Sequence, residues 1–110
     1  MSVLNEEIVG GLLMIKREGF FANIVSVYER DANRLLGELE TVSDPKSLEE
    51  IAHALKSASV SIGAHLVGEE AFVLETAGRE GTMPDVAAGL AKVRVRFDEA
   101  LVALKDRIPA

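Results

Sequence analysis

The chain has 110 residues, of which 48% are hydrophobic and 27% charged, with a formal net charge of −6 and no cysteine. That length fits one domain, and the balance is that of a folded globular protein. The lack of cysteine excludes disulfides and thiolate metal sites, and the acidic charge argues against binding to nucleic acid. No basic region precedes an apolar run at the N-terminus, and no apolar stretch approaches the roughly 20 residues of a membrane span. We therefore expect a cytoplasmic domain without direct membrane contact.

Helical periodicity recurs along the chain, and no segment shows the alternation of apolar and polar residues that marks a strand. After a flexible start over residues 1–4, a first helix is predicted to begin at the capping residue Asn5 and to fade near Gly19. A second helix is predicted over residues 20–41. Its apolar positions form one stripe, made of Phe21, Ile24, Val25, Tyr28, Ala32, Leu35, Leu36 and Leu39.

The second half of the chain predicts further helices. Asp44 and Pro45 supply a cap and a first turn for a third helix. The pattern is compatible with a continuation of this helix past Gly63, with a bend, as far as the glycine-containing segment 78–81. A last helix is predicted to start within residues 82–85 and to end before Pro109. Short turns place consecutive helices antiparallel. The predicted fold is all-α, an up-and-down antiparallel four-helix bundle with a short additional N-terminal helical segment, in a single domain over residues 1–110.

The third helix has one face that is not core. Successive residues advance by about 100° around a helix axis, and this spacing puts a core stripe within about 40° of the side opposite His53. That stripe consists of Leu48, Ile51, Leu55, Ala58 and Ile62. The imidazole of His53 is therefore predicted to be exposed. Its own face, within roughly 60°, holds Glu49, Glu50, Lys56, Ser57, Val60 and Ala64. Such a low, partly apolar platform suits the close approach of a partner protein.

The residue types on this face suit phosphoryl chemistry. A neutral imidazole is a good nucleophile near neutral pH, and phosphoryl transfer needs mainly alignment and charge stabilisation. Lys56 is predicted to be exposed three residues after His53, where its ammonium can neutralise an anion on the ring. On geometry alone, an ordinary surface histidine is the competing interpretation.

The segment from His53 to Ala64, which reads HALKSASVSIGA, resembles the signature of histidine-containing phosphotransfer (HPt) domains. That signature typically reads H-x-L-K-G-[SA]-[SA], followed by an apolar residue, a glycine and an alanine. Leu74-Glu75 and the stretch 78–81 are similar to the family's L-E…G-x-x-G tail, and residues 21–39 followed by Asp44 are similar to its second helix and exit turn.

The resemblance implies a role for each matching residue. His53 would be the phosphorylated nucleophile, attacking through Nε2, and Lys56 would stabilise the charge of the phosphoryl group. Gly63 would match the family's glycine ten residues beyond the histidine. Ser57 stands where the family usually has glycine, and this position is expected to influence the choice of partner. The surface expected to bind that partner comprises Glu49, Glu50, Ser57, Val60, Gly63 and Ala64.

By the same resemblance, the chain would be a phosphocarrier of a bacterial multistep phosphorelay. It would accept a phosphoryl group from a receiver aspartate of a response regulator or hybrid kinase and pass it to another receiver aspartate. The domain itself is expected to hold no cofactor or metal, and the receiver would supply Mg²⁺. The sequence has no phosphate-cradling glycine-rich loop, so we expect a carrier without an ATP site rather than an enzyme. It would act as a monomer, either alone or as the C-terminal cytoplasmic domain of a membrane-bound hybrid sensor histidine kinase.

Two other functions stay open at this point. One is an HPt-like adaptor that binds a receiver or kinase without carrying phosphate. The other is a small enzyme with His53 as general base, although the sequence offers neither a partner nucleophile nor a water-excluding pocket. Elsewhere, His65 is expected at the surface. The carboxylates Glu69, Glu70 and Glu75 are expected to be solvated unless they form a network.

Overall fold

The structure is a computed structural model that describes residues 2–110. Its five helices are α1 (Glu6–Leu13), α2 (Phe20–Glu40), α3 (Pro45–Ser61), α4 (His65–Arg79) and α5 (Val86–Asp106). Helix α2 packs against α3 and α5, and α4 packs against the same two helices, so the four longer helices close a bundle. No strand occurs in the described part of the chain. This confirms the predicted all-α bundle with a short extra N-terminal helix.

Side-chain caps start three of these helices where polar residues precede an apolar periodicity. Asn5 accepts a hydrogen bond from the amide of the third residue after it at 3.2 Å, and Asp44 and Asp85 do the same at 2.9 and 3.1 Å. Pro45 follows Asp44 in the first turn of α3, where a missing amide hydrogen costs nothing. Because Asp85 is the cap, the last helix begins after the predicted segment 82–85 rather than within it.

The predicted continuation of the third helix past Gly63 is wrong. Helix α3 ends at Ser61, and Gly63 adopts a left-handed φ of 91°, which reverses the chain. A Cβ at Gly63 would lie 2.8 Å from Val9 Cγ2, and the Gly63 carbonyl accepts the Asn5 amide at 2.8 Å. The turn is therefore also the place where the start of α1 packs. Helix α4 returns antiparallel beside α3, and this return brings its side chains to His53.

The core stripe of α3 is rotated by about 40° from the predicted one. Leu48 and Leu55 are buried as predicted, but Ala52 and Ser59 are buried with them, whereas Ile51 is only partly buried. The hydroxyl of Ser59 is satisfied in the core by that of Tyr28 on α2, at 2.7 Å. His53 therefore lies about 140° rather than 180° around the helix from the buried stripe, towards the edge of α3 that adjoins α4.

Leu4, within the expected flexible start, is buried in the core, while Met1 lies outside the described residues. Between residues 2 and 110, no helix has both the length and the hydropathy needed to cross a bilayer.

Candidate functional site

His53 projects from the middle of α3 with 60% of its side chain exposed, which confirms the predicted exposure of the imidazole. The ring is nevertheless held from one side. Its Nδ1 lies 2.9 Å from Oε2 of Glu75 on α4. The exposed ring is thus fixed in orientation by a residue 22 positions later in the chain.

Glu75 is buried, contrary to the expectation that it is solvated. Only 3% of its side chain is exposed, because α4 turns this position towards α3. Burial of a carboxylate is costly unless cations and hydrogen bonds compensate. Lys56 Nζ lies 2.9 Å from Oε1, and Arg79 Nη2 donates to Oε2 at 2.7 Å. The alternative of a network, rather than three separate solvated carboxylates, is the correct one for Glu75.

The protonation of Glu75 follows from these contacts. Burial acts to raise the pKa of the Glu75 carboxyl, but the contacts with Lys56 and His53 outweigh it and hold that pKa below its ordinary value. Glu75 is therefore a carboxylate at neutral pH and can only accept hydrogen bonds. A neutral His53 ring must donate its Nδ1–H to this acceptor, which leaves the nucleophilic lone pair on Nε2.

Lys56 is more enclosed than predicted. Only 28% of its side chain is exposed, and its ammonium lies 5.0 Å above the centre of the Phe72 ring as well as against Glu75. The aliphatic part of the Lys56 side chain passes Gly68, and a Cβ atom at Gly68 would lie 3.9 Å from Lys56 Cγ. The expectation of a fully exposed lysine is wrong because α4 lies alongside α3 at this point. The structure does bring Lys56 and His53 together, since each contacts one oxygen of the Glu75 carboxylate.

Arg79 is a member of the site that the sequence reasoning did not identify. Its Nε lies 3.3 Å from Oε2 of Glu49, so the guanidinium bridges a carboxylate on α3 and one on α4. The helices approach closely enough because residue 78 is glycine, where a Cβ would lie 2.6 Å from the Pro45 carbonyl oxygen. The spacing of Glu75 and Arg79 by four residues in a helix was the available signal.

The residues predicted to bind a partner divide into two groups. Ser57, Val60 and Glu50 are exposed around His53 and Glu49 is partly exposed there, and Glu50 pairs with a neighbouring lysine at 3.3 Å. Gly63 and Ala64 are buried in the turn between α3 and α4, so their assignment to the exposed surface is wrong. Helix α3 ends at Ser61, so Gly63 and Ala64 do not continue its exposed face. A shallow apolar groove also lies on the α2 side of α3, lined by Leu12, Phe20, Ile24, Val27, Tyr28, Asp31, Ala58, Ser61 and Ile62.

Comparisons with known proteins bear on the family and the fold of the chain. A family model described as the Hpt domain matches residues 23–107. Histidine-containing phosphotransfer protein B (HptB) from Pseudomonas aeruginosa has a similar structure, with a TM-score of 0.86 and 20% identity over 94% of this chain and 92% of that one.

Two plant structures are similar as well. A rice protein described as a histidine-containing phosphotransfer protein gives a TM-score of 0.78 at 22% identity, covering 97% of this chain and 86% of that one. The maize histidine-containing phosphotransfer protein ZmHP2 gives 0.79 at 24% identity, covering 97% and 88%. At these identities the three structures show the fold. No curated protein sequence matches the chain.

Proposed function

The chain belongs to the Hpt domain family, and from that premise we propose that it is a phosphocarrier with His53 as the residue that carries the phosphoryl group. The family supports a phosphotransfer role in phosphorelays. The site of phosphorylation, the donor, the acceptor and the direction of transfer are the content of the proposal. The observation that carries it is the hydrogen bond from His53 Nδ1 to Glu75, on an imidazole that is otherwise exposed.

The proposed reaction begins with a receiver domain that bears an aspartyl phosphate. Nε2 of His53 attacks the phosphorus in line, the N–P bond forms, and the P–O bond to the receiver aspartate breaks, so that the aspartate leaves as a carboxylate. The ring retains its proton on Nδ1 and becomes cationic. The Glu75 carboxylate, 2.9 Å from Nδ1, stabilises that positive charge as it develops. Transfer to a second receiver aspartate is the reverse of these steps.

Lys56 supplies the ammonium to which the resemblance assigns stabilisation of the phosphoryl group. Its ammonium is held by Glu75 and by the face of Phe72, so it is localised near His53 before any phosphoryl group arrives. This preorganisation lowers the entropic cost of charge stabilisation in the transition state. The receiver would supply Mg²⁺ to neutralise the remaining charge, and the proposal gives the domain no cofactor of its own.

The partner is a receiver domain of a response regulator or hybrid kinase, which docks on the exposed surface around His53. Ser57 and Val60 leave low relief on the C-terminal side of the imidazole, and Glu50 adds negative charge on the N-terminal side. Ser57 takes the place of a side-chain-free glycine, so a partner that approaches His53 closely must accommodate its hydroxymethyl group. We place the reaction in the cytoplasm and assign it to a monomer that does not use ATP.

The test is phosphotransfer from a panel of radiolabelled receiver domains. Wild type is expected to acquire an acid-labile, base-stable label, and His53→Gln is expected to acquire none. The chain has only one other histidine, so His65→Gln is the matched control and is expected to be labelled like wild type. Labelling of His53→Gln would refute the proposal. Receiver binding without labelling of wild type would instead support the adaptor function.

A further inference from the structure

We infer that Arg79 is a positioning residue for phosphoryl transfer: by binding Glu75 and Glu49 together, it holds the carboxylate that orients His53 and keeps the ring in its neutral, nucleophilic form. This inference rests on the proposed function of His53. It assigns to Arg79 an effect through Glu75, since the hydrogen bonds of the Arg79 guanidinium go to the carboxylates of Glu75 and Glu49.

His53 and Arg79 donate to the same oxygen atom of Glu75. Oε2 of Glu75 accepts from His53 Nδ1 at 2.9 Å and from Arg79 Nη2 at 2.7 Å. Oε1 of the same carboxylate faces Lys56 instead, at 2.9 Å. Arg79 is therefore the side chain that shares an acceptor with the imidazole. A guanidinium can also reach a second carboxylate with another of its N–H groups, as Arg79 does with Glu49, whereas an ammonium has no such fixed fork.

The charged side chains around His53 balance one another in number. The charged residues that line the pocket beside His53 are Lys46, Glu49, Glu50, Glu75 and Arg79, and Lys56 lies against the same Glu75. Their three negative and three positive charges cancel, so this surround is neutral when the imidazole is neutral. Without Arg79 the surround carries an excess negative charge next to the ring. A neighbouring anion favours the protonated form of an imidazole, and an imidazolium has no lone pair with which to attack phosphorus.

A purely structural role for Arg79 is the competing explanation, because the same bridge also ties α4 to α3. The two roles predict different measurements. A structural tie affects the free energy of unfolding, with no necessary effect on ring protonation in the folded protein. A positioning role changes the protonation of His53 and the pH dependence of transfer even when the variant is fully folded.

The experiment compares Arg79→Gln and Arg79→Lys with Arg94→Gln, which removes the same charge from a surface pair with Glu40 on the other side of the bundle. NMR of the ¹⁵N-labelled imidazoles follows the titration and tautomer of His53 in the folded, unphosphorylated protein. For Arg79→Gln we expect the His53 titration midpoint to rise by about 0.5–1 pH unit. For Arg94→Gln we expect no shift. Arg79→Lys, which restores charge without the fork, should lie between wild type and Arg79→Gln.

The kinetic arm measures the rate of labelling by phosphoramidate, a small donor that needs no docking surface. In Arg79→Gln the rate is expected to fall by about two- to fivefold at pH 6.5 and to approach that of wild type at pH 8.5. An unchanged midpoint and an unshifted pH–rate profile in Arg79→Gln would overturn the inference. If wild type accepts no phosphoryl group from any donor, the proposed function fails, and the NMR titration still decides whether Arg79 controls ring protonation.

Discussion

Glu75 on α4 accepts the Nδ1–H of His53 on α3 at 2.9 Å, and this contact exists only because the chain reverses at Gly63. The carboxylate is buried whereas the ring is exposed. One side of the imidazole is therefore set by the interior of the bundle, and the other is available to a partner.

Replacement of the carboxylate should slow phosphoryl acceptance. In Glu75→Gln the side chain keeps its size but loses the charge that stabilises the ring cation formed on attack. We expect the rate of labelling by a phosphorylated receiver to fall by about tenfold or more, because the positive charge that develops on the ring loses its neighbouring anion. Stopped-flow or quench-flow labelling measures this rate. Labelling of Glu75→Gln at the wild-type rate would show that the contact has no part in transfer.

Acid should destabilise the protein partly through the same residue. The pKa of Glu75 in the folded state lies below its ordinary value, so its contribution to stability is present above the unfolded-state pKa and is lost as the pH falls through the folded-state pKa. Asp44, whose pKa is lowered by the hydrogen bond from the Ser47 amide, acts in the same direction. Urea unfolding between pH 7 and pH 3 should therefore show a smaller decrease in the free energy of unfolding for Glu75→Gln than for wild type. An equal decrease in both proteins would contradict this assignment.

Much of the fold could be predicted from the sequence, because periodicity and caps act locally. Asn5, Asp44 and Asp85 each start a helix by bonding an amide three residues later, and such signals can be read from the residues themselves. The burial of Glu75 could not be read in this way. It depends on the packing of α4 against α3, which is set by the left-handed turn at Gly63 and hence by contacts between residues distant in sequence.

Two neighbouring residues of α3 should separate stability from function. Leu55 has no exposed surface, so Leu55→Ala is expected to reduce the free energy of unfolding by about 2–5 kcal/mol. Lys56→Ala removes an ammonium at the rim of the site and should slow phosphoryl transfer while the domain stays folded. Thermal unfolding by circular dichroism, together with labelling kinetics, distinguishes the two effects. Loss of the fold in Lys56→Ala would mean that its contacts with Glu75 and Phe72 are chiefly structural.

Ser57 provides a test of partner choice. Its side chain is exposed one residue after Lys56, where relatives with the usual motif have glycine. We expect Ser57→Gly to increase the number of receivers that transfer phosphate at a measurable rate. The same change should destabilise α3 by about 0.5–1 kcal/mol, because glycine is unfavourable within a helix. An unaltered receiver profile in Ser57→Gly would show that Ser57 does not restrict docking.

The close approach of α3 and α4 can be disrupted at Gly78 without a change in any charged residue of the site. A Cβ there would lie 2.6 Å from the Pro45 carbonyl oxygen and 2.7 Å from the Glu49 amide nitrogen, and backbone atoms cannot move aside as a flexible side chain can. Gly78→Ala should therefore force the helices apart, reduce the free energy of unfolding by about 1–3 kcal/mol, and weaken the contact between His53 and Glu75.

A matched alanine substitution separates this effect from the general effect of alanine in a helix. Gly37 lies within α2 with no atom near the position of a Cβ, so Gly37→Ala should leave transfer unchanged and stabilise the helix by about 0.5–1 kcal/mol. The readouts are urea unfolding, labelling kinetics and the ¹⁵N signals of the His53 ring. If Gly78→Ala unfolds at the same urea concentration as wild type and retains the His53 Nδ1–H signal, the spacing of the two helices does not control the orientation of the imidazole.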